Sequence, residues 1–493
     1  MRQYTGFTLL FLCCWWQACS PAHSIGAYTE KEFLRLPGLG SAQVGISLYD
    51  PTTAAYIYNY QGDKYFIPAS NTKLFSLYAG LKYLGDSLVG MRYKITDTAL
   101  LVIPSGDPTF LHPSFSSQPA FDVMKRVGKD IRLADDNWQD NAFGRGWAWD
   151  DYNDDYAAER SPFPIYGNMI RWVQEGNVGG MQGDPFRSTV SVYSVPDIDW
   201  PVRFTTDTSQ KTFFVHRKEK DNVFDITEGK EKFRQQYTPF ITNGLTSATL
   251  LLKDTVGRAA AITHLKINTV INGVVIPGSL IIDGAIATHD QLRPDKAGQP
   301  IPVRPDAWGL IDSLHLPGWG IVHSRPVDSL FRPMMYNSDN FFAEQTLLMV
   351  SNERLGFMKD SRIIDILLKS DLKDLPQPPN WVDGCGLSRN DWFSPRDFVW
   401  ILDRLKTEFG LDRMKRILPT GGTGTLANYY RQDSGYIFAK TGSLSGVVAL
   451  SGYLITKKDH LYIFSILVNN YTGNGTALRK EIEKWIHRVR DTR

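Results

Sequence analysis

"IPASNTKLFSLYAGLKYLG" (67–85) sets a serine, Ser70, three residues ahead of a lysine, Lys73, at the start of an apolar, helix-like run. Residues at i and i+3 share one face of a helix, so this spacing permits contact between a hydroxyl and an amine. A hydroxyl is a weak nucleophile, and a neutral amine beside it can take its proton. Free lysine titrates near ~10.4, and lowering that value to about 7 costs roughly 4 kcal/mol, which burial beside a second cation can supply. The competing reading makes Ser70 a helix cap and Lys73 a solvated charge. The chain carries its own control: Ser370 and Lys373 in "LLKSDLKDLPQPP" have the same spacing but sit among charges ahead of a proline-rich turn. Alone, the first pair is weak evidence.

Two further motifs give it weight. "YNSDNFF" supplies Ser338, Asp339 and Asn340, and "FAKTGSLSG" supplies Lys440, Thr441, Gly442 and Ser443. Ser-x-x-Lys, Ser-Asp-Asn and Lys-Thr-Gly, in that order, are the three signatures of serine penicillin-binding proteins and class A β-lactamases. Each has a physical use. Ser338 can relay a proton between Lys73 and a leaving nitrogen, and Asn340 can hold a substrate amide. Lys440, on an edge strand, places a cation near Lys73 and opposite a substrate carboxylate. Gly442 leaves room for a substrate to lie along that strand as an added β-strand. The backbone N–H groups of Ser70 and Ser443 can form an oxyanion hole, worth about 3 kcal/mol per donor. Single motifs recur by accident: Ser388-Arg389-Asn390 is a second Ser-x-Asn, and Lys-Thr-Gly alone is an ordinary turn. The order and placement of all three carry the argument.

Within that group the chain resembles the D-alanyl-D-alanine carboxypeptidase/endopeptidase family of low-molecular-mass, class C penicillin-binding proteins (peptidase family S13). The resemblance covers nearly the whole mature chain. It rests also on "GDPTF" (106–110), "DDNWQDNAFGRGWAWDDY" (135–152), "SRPVDSLFRPMMYNSDNFFAEQ" (324–345) and "DGCGLSRND" (383–391). It implies an α+β fold: a serine β-lactamase/DD-peptidase-like catalytic domain, an antiparallel sheet with helices, interrupted by a large β-rich insertion of one or two subdomains. It implies Ser70, Lys73, Ser338, Asn340, Lys440 and Ser443 as the catalytic set, with Thr441 and Gly442 along the substrate. Asp151 and Tyr156 fall where related enzymes line a pocket for a diaminopimelate side chain. Arg389 would meet that side chain's carboxylate, and Ser445 lies on the same rim. Otherwise Asp151 belongs to a solvated acidic loop, and Arg389 pairs with Asp391 or Asp397. Cys385 stands where the family usually has serine and reads as a small packed residue.

The implied activity is a serine DD-peptidase acting on peptidoglycan stem peptides and crosslinks through an acyl-enzyme at Ser70, with β-lactams as inhibitors. One alternative is a β-lactamase, although Glu344, Glu353 and Glu408 lack the Glu-x-x-x-Asn setting of a deacylating base. Another is a non-catalytic penicillin-recognising sensor or peptidoglycan-binding scaffold. Glu344 is expected in a structural ion pair, and Trp147 and Trp149 as packing anchors. "TGGTGTL" (420–426) lacks the Lys-Ser/Thr ending of a phosphate loop and reads as a loop near the active site.

At 493 residues the chain should divide into two or three domains. A net charge of +2, with no block of like charges, gives no reason to expect nucleic acid as a partner. Arg2 and the apolar "FTLLFLCCWW" (7–16), followed by small residues, read as a signal peptide over 1–24, with no transmembrane span left in the mature chain. The protein is therefore expected to be exported to the periplasm or cell envelope. Cys19 is a candidate lipid-attachment site, with Trp16 a poor fit at its minus-three position. After cleavage Cys385 is the remaining cysteine, so no intramolecular disulfide is expected. The nine histidines are scattered, His315 and His323 lack matching carboxylates, and neither metal nor cofactor is expected.

Strands are predicted at 42–50, 53–60, 64–68, 434–442, 447–455 and 461–470, and a closing helix at 478–490, so that both chain ends share one sheet. Helices near 337–353 and 394–409 should pack on one face. The catalytic domain is assigned to 25–95 and 305–493, and the insertion to 96–304, with β-like runs at 98–103, 187–195, 248–253 and 272–284.

Overall fold

The computed structural model describes residues 21–176, 190–205, 211–265 and 318–491, together with the backbone of four short strands between 269 and 287. Most of the signal-peptide segment, Cys19 and His315 lie outside the described residues. The catalytic region is built on five strands: β1 (Gln43–Asp50), β2 (Ala55–Tyr60), β3 (Ile437–Leu444), β4 (Val447–Ile455) and β5 (Leu461–Asn469). They form an antiparallel sheet in the order β3-β4-β5-β1-β2, so the two ends of the chain close one sheet.

Successive side chains of a strand point to opposite faces, and here both faces are covered. Ala449 and Tyr453 of β4 and Ile463 and Leu467 of β5 pack against Leu74, Phe75, Phe398 and Leu402 of the central helices. The alternate residues Val448, Leu450, Phe464 and Ile466 join Val44, Ile46 and Leu48 of β1 beneath Ile482, Trp485 and Ile486 of the closing helix, Gly475–Asp491. Trp485 is fully buried and donates from Nε1 to Thr29 Oγ1 at 2.9 Å, which ties the first described helix, Pro21–Lys31, to the last. The sheet is thus a middle layer: the central helices take one face as expected, and the terminal helices take the other.

The inserted region has its own apolar cluster, in which Met91, Leu100, Ile131, Trp172 and Phe224 meet across three sheets. Its largest sheet includes Ser87–Ile95 paired antiparallel with Gly320–Pro326. The chain therefore enters and leaves side by side, and the inserted sheet reaches outward past the expected limits of 96 and 304. Its entering and leaving strands bury Met91 and Val322 against the insertion, not the catalytic sheet.

Three other expectations are corrected. "KYFIP" (64–68) makes only an isolated bridge, Phe66 to Phe393, and is no strand of the sheet. "ATLLLK" (248–253) lies within a helix, Thr246–Leu252, running into a π-turn. A short apolar run fits either element, and here Leu245, Ala248, Leu251 and Leu252 reach the insertion's core at helical spacing while Leu250 faces solvent. Trp149 is 77% exposed and anchors nothing, whereas Trp147 packs against the catalytic core.

Replacing Trp485 by Ala removes a fully buried ring that joins both chain ends, and should lower stability by about 3–5 kcal/mol. Trp149→Ala should change it by less than ~0.5 kcal/mol. Urea unfolding curves of the two variants check the contrast.

Candidate active site

Residues Ala69–Thr72 form a tight 3₁₀ turn that runs directly into the helix Lys73–Tyr83. Side chains at i and i+3 eclipse in such a turn, which brings Ser70 over Lys73. Lys73 is fully buried, and its Nζ lies 2.9 Å from Ser70 Oγ, 2.6 Å from Asn340 Oδ1 and 2.8 Å from the Cys385 carbonyl oxygen. Two of these partners are pure acceptors, and the third can also donate. A neutral amine satisfies this arrangement by donating to the two carbonyls and turning its lone pair to the Ser70 hydroxyl. Burial pushes the Lys73 ammonium below the usual lysine range, against the opposing pull of Asp383, Asp339 and Glu344. Ser70 thus bonds the lysine and caps no helix. At the control site, Ser370 donates to the Ile366 carbonyl and both Ser370 and Lys373 are exposed.

Asn340 opens the helix Asn340–Leu355, whose N-cap is Asp339, its carboxylate accepting from the Phe342 N–H at 2.8 Å. The preceding Ser338 takes a φ of +59°, a conformation that costs a non-glycine residue energy and recurs at functional sites. Its hydroxyl receives a 2.8 Å hydrogen bond from Lys440 Nζ, which also donates to the Thr441 carbonyl. Lys440 is fully buried, and desolvation followed by the nearby Lys73 charge drives its ammonium well below the usual range. It therefore lies near Lys73 and meets the cleft through Ser338.

Gly442 also meets the serine-bearing turn. A Cβ there would lie 2.6 Å from the Pro68 carbonyl oxygen and 3.2 Å from Ala69 Cβ. The missing side chain lets β3 approach the serine-bearing turn. β3 is an edge strand whose outer side is bridged by Thr420 at Phe438, where the Ala439 N–H bonds the Pro419 carbonyl. N–H groups two residues apart on a strand point the same way, so the Ser443 N–H points to that outer edge, where Ser70, Ser338, Thr441 and Ser443 line one cleft.

A second layer holds this geometry. Asp383, buried, accepts from the Gly386 and Ser388 N–H groups at 2.6 and 2.7 Å and from Trp147 Nε1 at 3.0 Å, shaping the loop that presents the Cys385 carbonyl. Gly386 adopts a φ of +82° where a Cβ would strike the Ala69 carbonyl. Burial raises the Cys385 thiol well above its usual range, consistent with a packed residue and not a nucleophile. Glu344 pairs with Arg160 Nη1 at 3.2 Å, as expected, and burial lifts its carboxyl to about 8. Arg160 also binds Asp140 and Asp360. Sequence reasoning assigned no role to Arg160 or Asp383, because neither belongs to a short motif with a chemical signature.

The residues assigned to a side-chain pocket appear as two pairs. The Tyr156 hydroxyl donates to Asp151 Oδ1 at 2.9 Å, and the Tyr156 carbonyl accepts from Asn340 Nδ2 at 2.9 Å, which ties this segment to the second motif. Arg389, exposed, donates to the Ser445 carbonyl at 2.8 Å and makes no ion pair with Asp391 or Asp397. Among the described residues, no hydrogen bond or ion pair joins the two pairs.

The model of the D-Ala-D-Ala carboxypeptidase 3 (S13) family matches residues 29–227 and 321–492. The chain belongs to this family. It is accordingly a serine-type peptidase, a hydrolase. A D-alanyl-D-alanine carboxypeptidase from an Actinomadura species is 26% identical over 465 residues, covering 89% of this chain and 79% of that protein. The D-alanyl-D-alanine carboxypeptidase DacB of Haemophilus influenzae is 23% identical over 441 residues, with 84% and 83% coverage. The crystal structure of penicillin binding protein 4 from Haemophilus influenzae superimposes with a TM-score of 0.66 at 16% identity, over 95% of this chain and 99% of that one. The S13 fold therefore spans both the catalytic sheet and the inserted sheets.

Gly442→Ala should push β3 away from Pro68 and slow serine acylation by about 100-fold, the scale of losing one oxyanion donor. Stopped-flow acylation with a chromogenic cephalosporin measures this rate.

Proposed function

We propose that this protein is a cell-envelope DD-peptidase that cleaves the bond between the last two D-alanines of a peptidoglycan stem peptide, or the equivalent D-alanyl-diaminopimelate crosslink. The observation that carries the reading is the three-partner setting of the buried Lys73 amine, with Ser70 as its one partner able to give up a proton. Ser70 Oγ attacks the scissile carbonyl carbon while its proton passes to Lys73 Nζ. The N–H groups of Ser70 and Ser443 face the developing oxyanion. The proton taken by Lys73 is passed to Ser338, held by Lys440, as Ser338 gives its own to the leaving nitrogen and the C–N bond breaks, so that Lys73 and Ser338 are both restored. Water then attacks the ester, releasing the shortened peptide and restoring the Ser70 hydroxyl.

β-Lactams would acylate the same serine, and the Haemophilus influenzae penicillin binding protein 4, of the same fold, has a structure complexed with a novel β-lactam. Asp151 and Arg389 would receive the amine and carboxylate of a diaminopimelate side chain. Export is supported by the signal-peptide pattern, and among the described residues no helix is long and apolar enough to cross a membrane.

A β-lactamase needs a free carboxylate to activate the deacylating water. Glu344 is bound to Arg160, Glu353 to Arg92, and Glu408 to Lys82 and Arg404, which favours a slowly hydrolysed penicilloyl-enzyme.

A fluorescent penicillin should label the wild type covalently and leave Ser70→Ala unlabelled, as read by mass spectrometry. No label on the wild type contradicts the proposal. The acylation rate should also rise with pH. Lys73 in the folded protein sheds its proton below the ordinary lysine value, so the active neutral form grows as pH climbs through that depressed value. A rate that rises only where the exposed lysines lose their protons, or that falls as pH climbs, contradicts a lysine base of depressed value.

A further inference from the structure

Outside the cleft, the surface beyond Arg389 presents two large aromatic rings to solvent: Trp392 is 47% exposed and Tyr65 40%. Both flank the segment 378–380. The Tyr65 hydroxyl donates to the Pro378 carbonyl at 2.7 Å, and Asn380 and Trp392 exchange two backbone hydrogen bonds of 3.1 and 2.8 Å. Phe66 and Phe393 are bridged in the same way, and both are buried. Neighbouring side chains on extended backbone point to opposite sides. Burial of the two phenylalanines therefore turns Tyr65 and Trp392 outward.

Two carboxamides accompany the rings. Asn380 Nδ2 donates to the Asn390 carbonyl at 2.6 Å, and both asparagines are exposed. Among the described residues the side-chain amide of Asn390 has no hydrogen-bond partner. Asp391, between Asn390 and Trp392, is fully buried, so its charge does not reach this surface. Flat apolar faces beside neutral amide donors and acceptors suit a sugar ring. Its C–H face can lie on an aromatic ring while its hydroxyl and N-acetyl groups bond the amides.

The stem peptide carries such a ring. In the reading above, its third residue meets Asp151 and Arg389, and its N-terminal end is joined, two residues upstream, to an N-acetylated amino sugar. Two extended residues span about 7 Å, and Trp392, three residues past Arg389, lies at most about 11 Å from it along the chain. Arg389 donates to the Ser445 carbonyl just past the end of β3, so the loop 389–392 begins where that strand leaves off.

We propose that Trp392 and Tyr65, with the side-chain amides of Asn380 and Asn390, form a binding site for the N-acetylated amino sugar that carries the stem peptide. This rests on the peptidase reading. The site gives the enzyme a hold on the glycan strand beyond the peptide, and makes it prefer sugar-bearing substrates to free peptides.

Two substrates test it: N-acetylglucosaminyl-N-acetylmuramyl pentapeptide and the same pentapeptide without sugars, with D-alanine release as the readout. The wild type should favour the first about 10-fold in kcat/KM, through KM. In Trp392→Ala that advantage should vanish, a loss on the scale of one aromatic anchor, while the free peptide stays within about 2-fold of wild type. Trp392→Phe, which keeps a ring, should retain part of it. An equal fall for both substrates, the mark of a purely structural role, overturns the proposal, and so does no change for either. A wild type that releases D-alanine equally well from both overturns the sugar site and leaves the peptidase reading standing. A wild type that releases none, beside a Ser70→Ala form that binds the sugar-bearing peptide in a Trp392-dependent way by calorimetry, refutes the peptidase reading and upholds the sugar site.

Discussion

A primary amine sealed from water is the constraint around which this molecule is arranged. Lys73 has no solvent to stabilise its charge, so burial lowers the cost of its neutral form, and its Nζ must find three hydrogen-bond partners in fixed positions. Those partners come from three distant stretches: the serine turn at Ser70, the helix start at Asn340, and the loop at Cys385. Meeting that demand requires the sheet, the Asn340 helix and the Asp383 loop to be in register at once. The fold can be read as the scaffold that keeps those three in place.

The neighbouring lysine strengthens the effect. Lys440 is buried as well, and each ammonium raises the cost of the other. Two buried amines cannot both hold a proton cheaply, so one of them is readily neutral while the other can remain charged. Ser338 and Asn340 sit on the same helix start, each bound to a different lysine. Proton movement from Ser70 to a leaving nitrogen would then cross a short array of groups whose positions are set by one N-terminal turn.

The sequence displayed the chemistry more clearly than its setting. Ser70, Lys73, Ser338, Asn340 and Lys440 could be named because each lies in a short motif with a role, and the strands from 434 onward because apolar runs are separated by glycine and turn residues. Other features depend on contacts between remote segments. The approach of Gly442 to Pro68, the Asp383 loop and the Arg160 cluster each join residues with no common local pattern. The same applies to Arg479, whose helix was legible as amphipathic while its place over Ser443 was not. Where an apolar run was short, as in "ATLLLK", periodicity could not separate strand from helix, and packing against the insertion's core decided the outcome.

The most direct test of the neutral-lysine claim is an NMR titration of isotope-labelled lysines, with the Lys73 resonance identified by its loss in Lys73→Arg. The account predicts that Lys73 loses its proton at a pH clearly below that of the exposed lysines. A Lys73 signal that titrates with them, or above them, would contradict it.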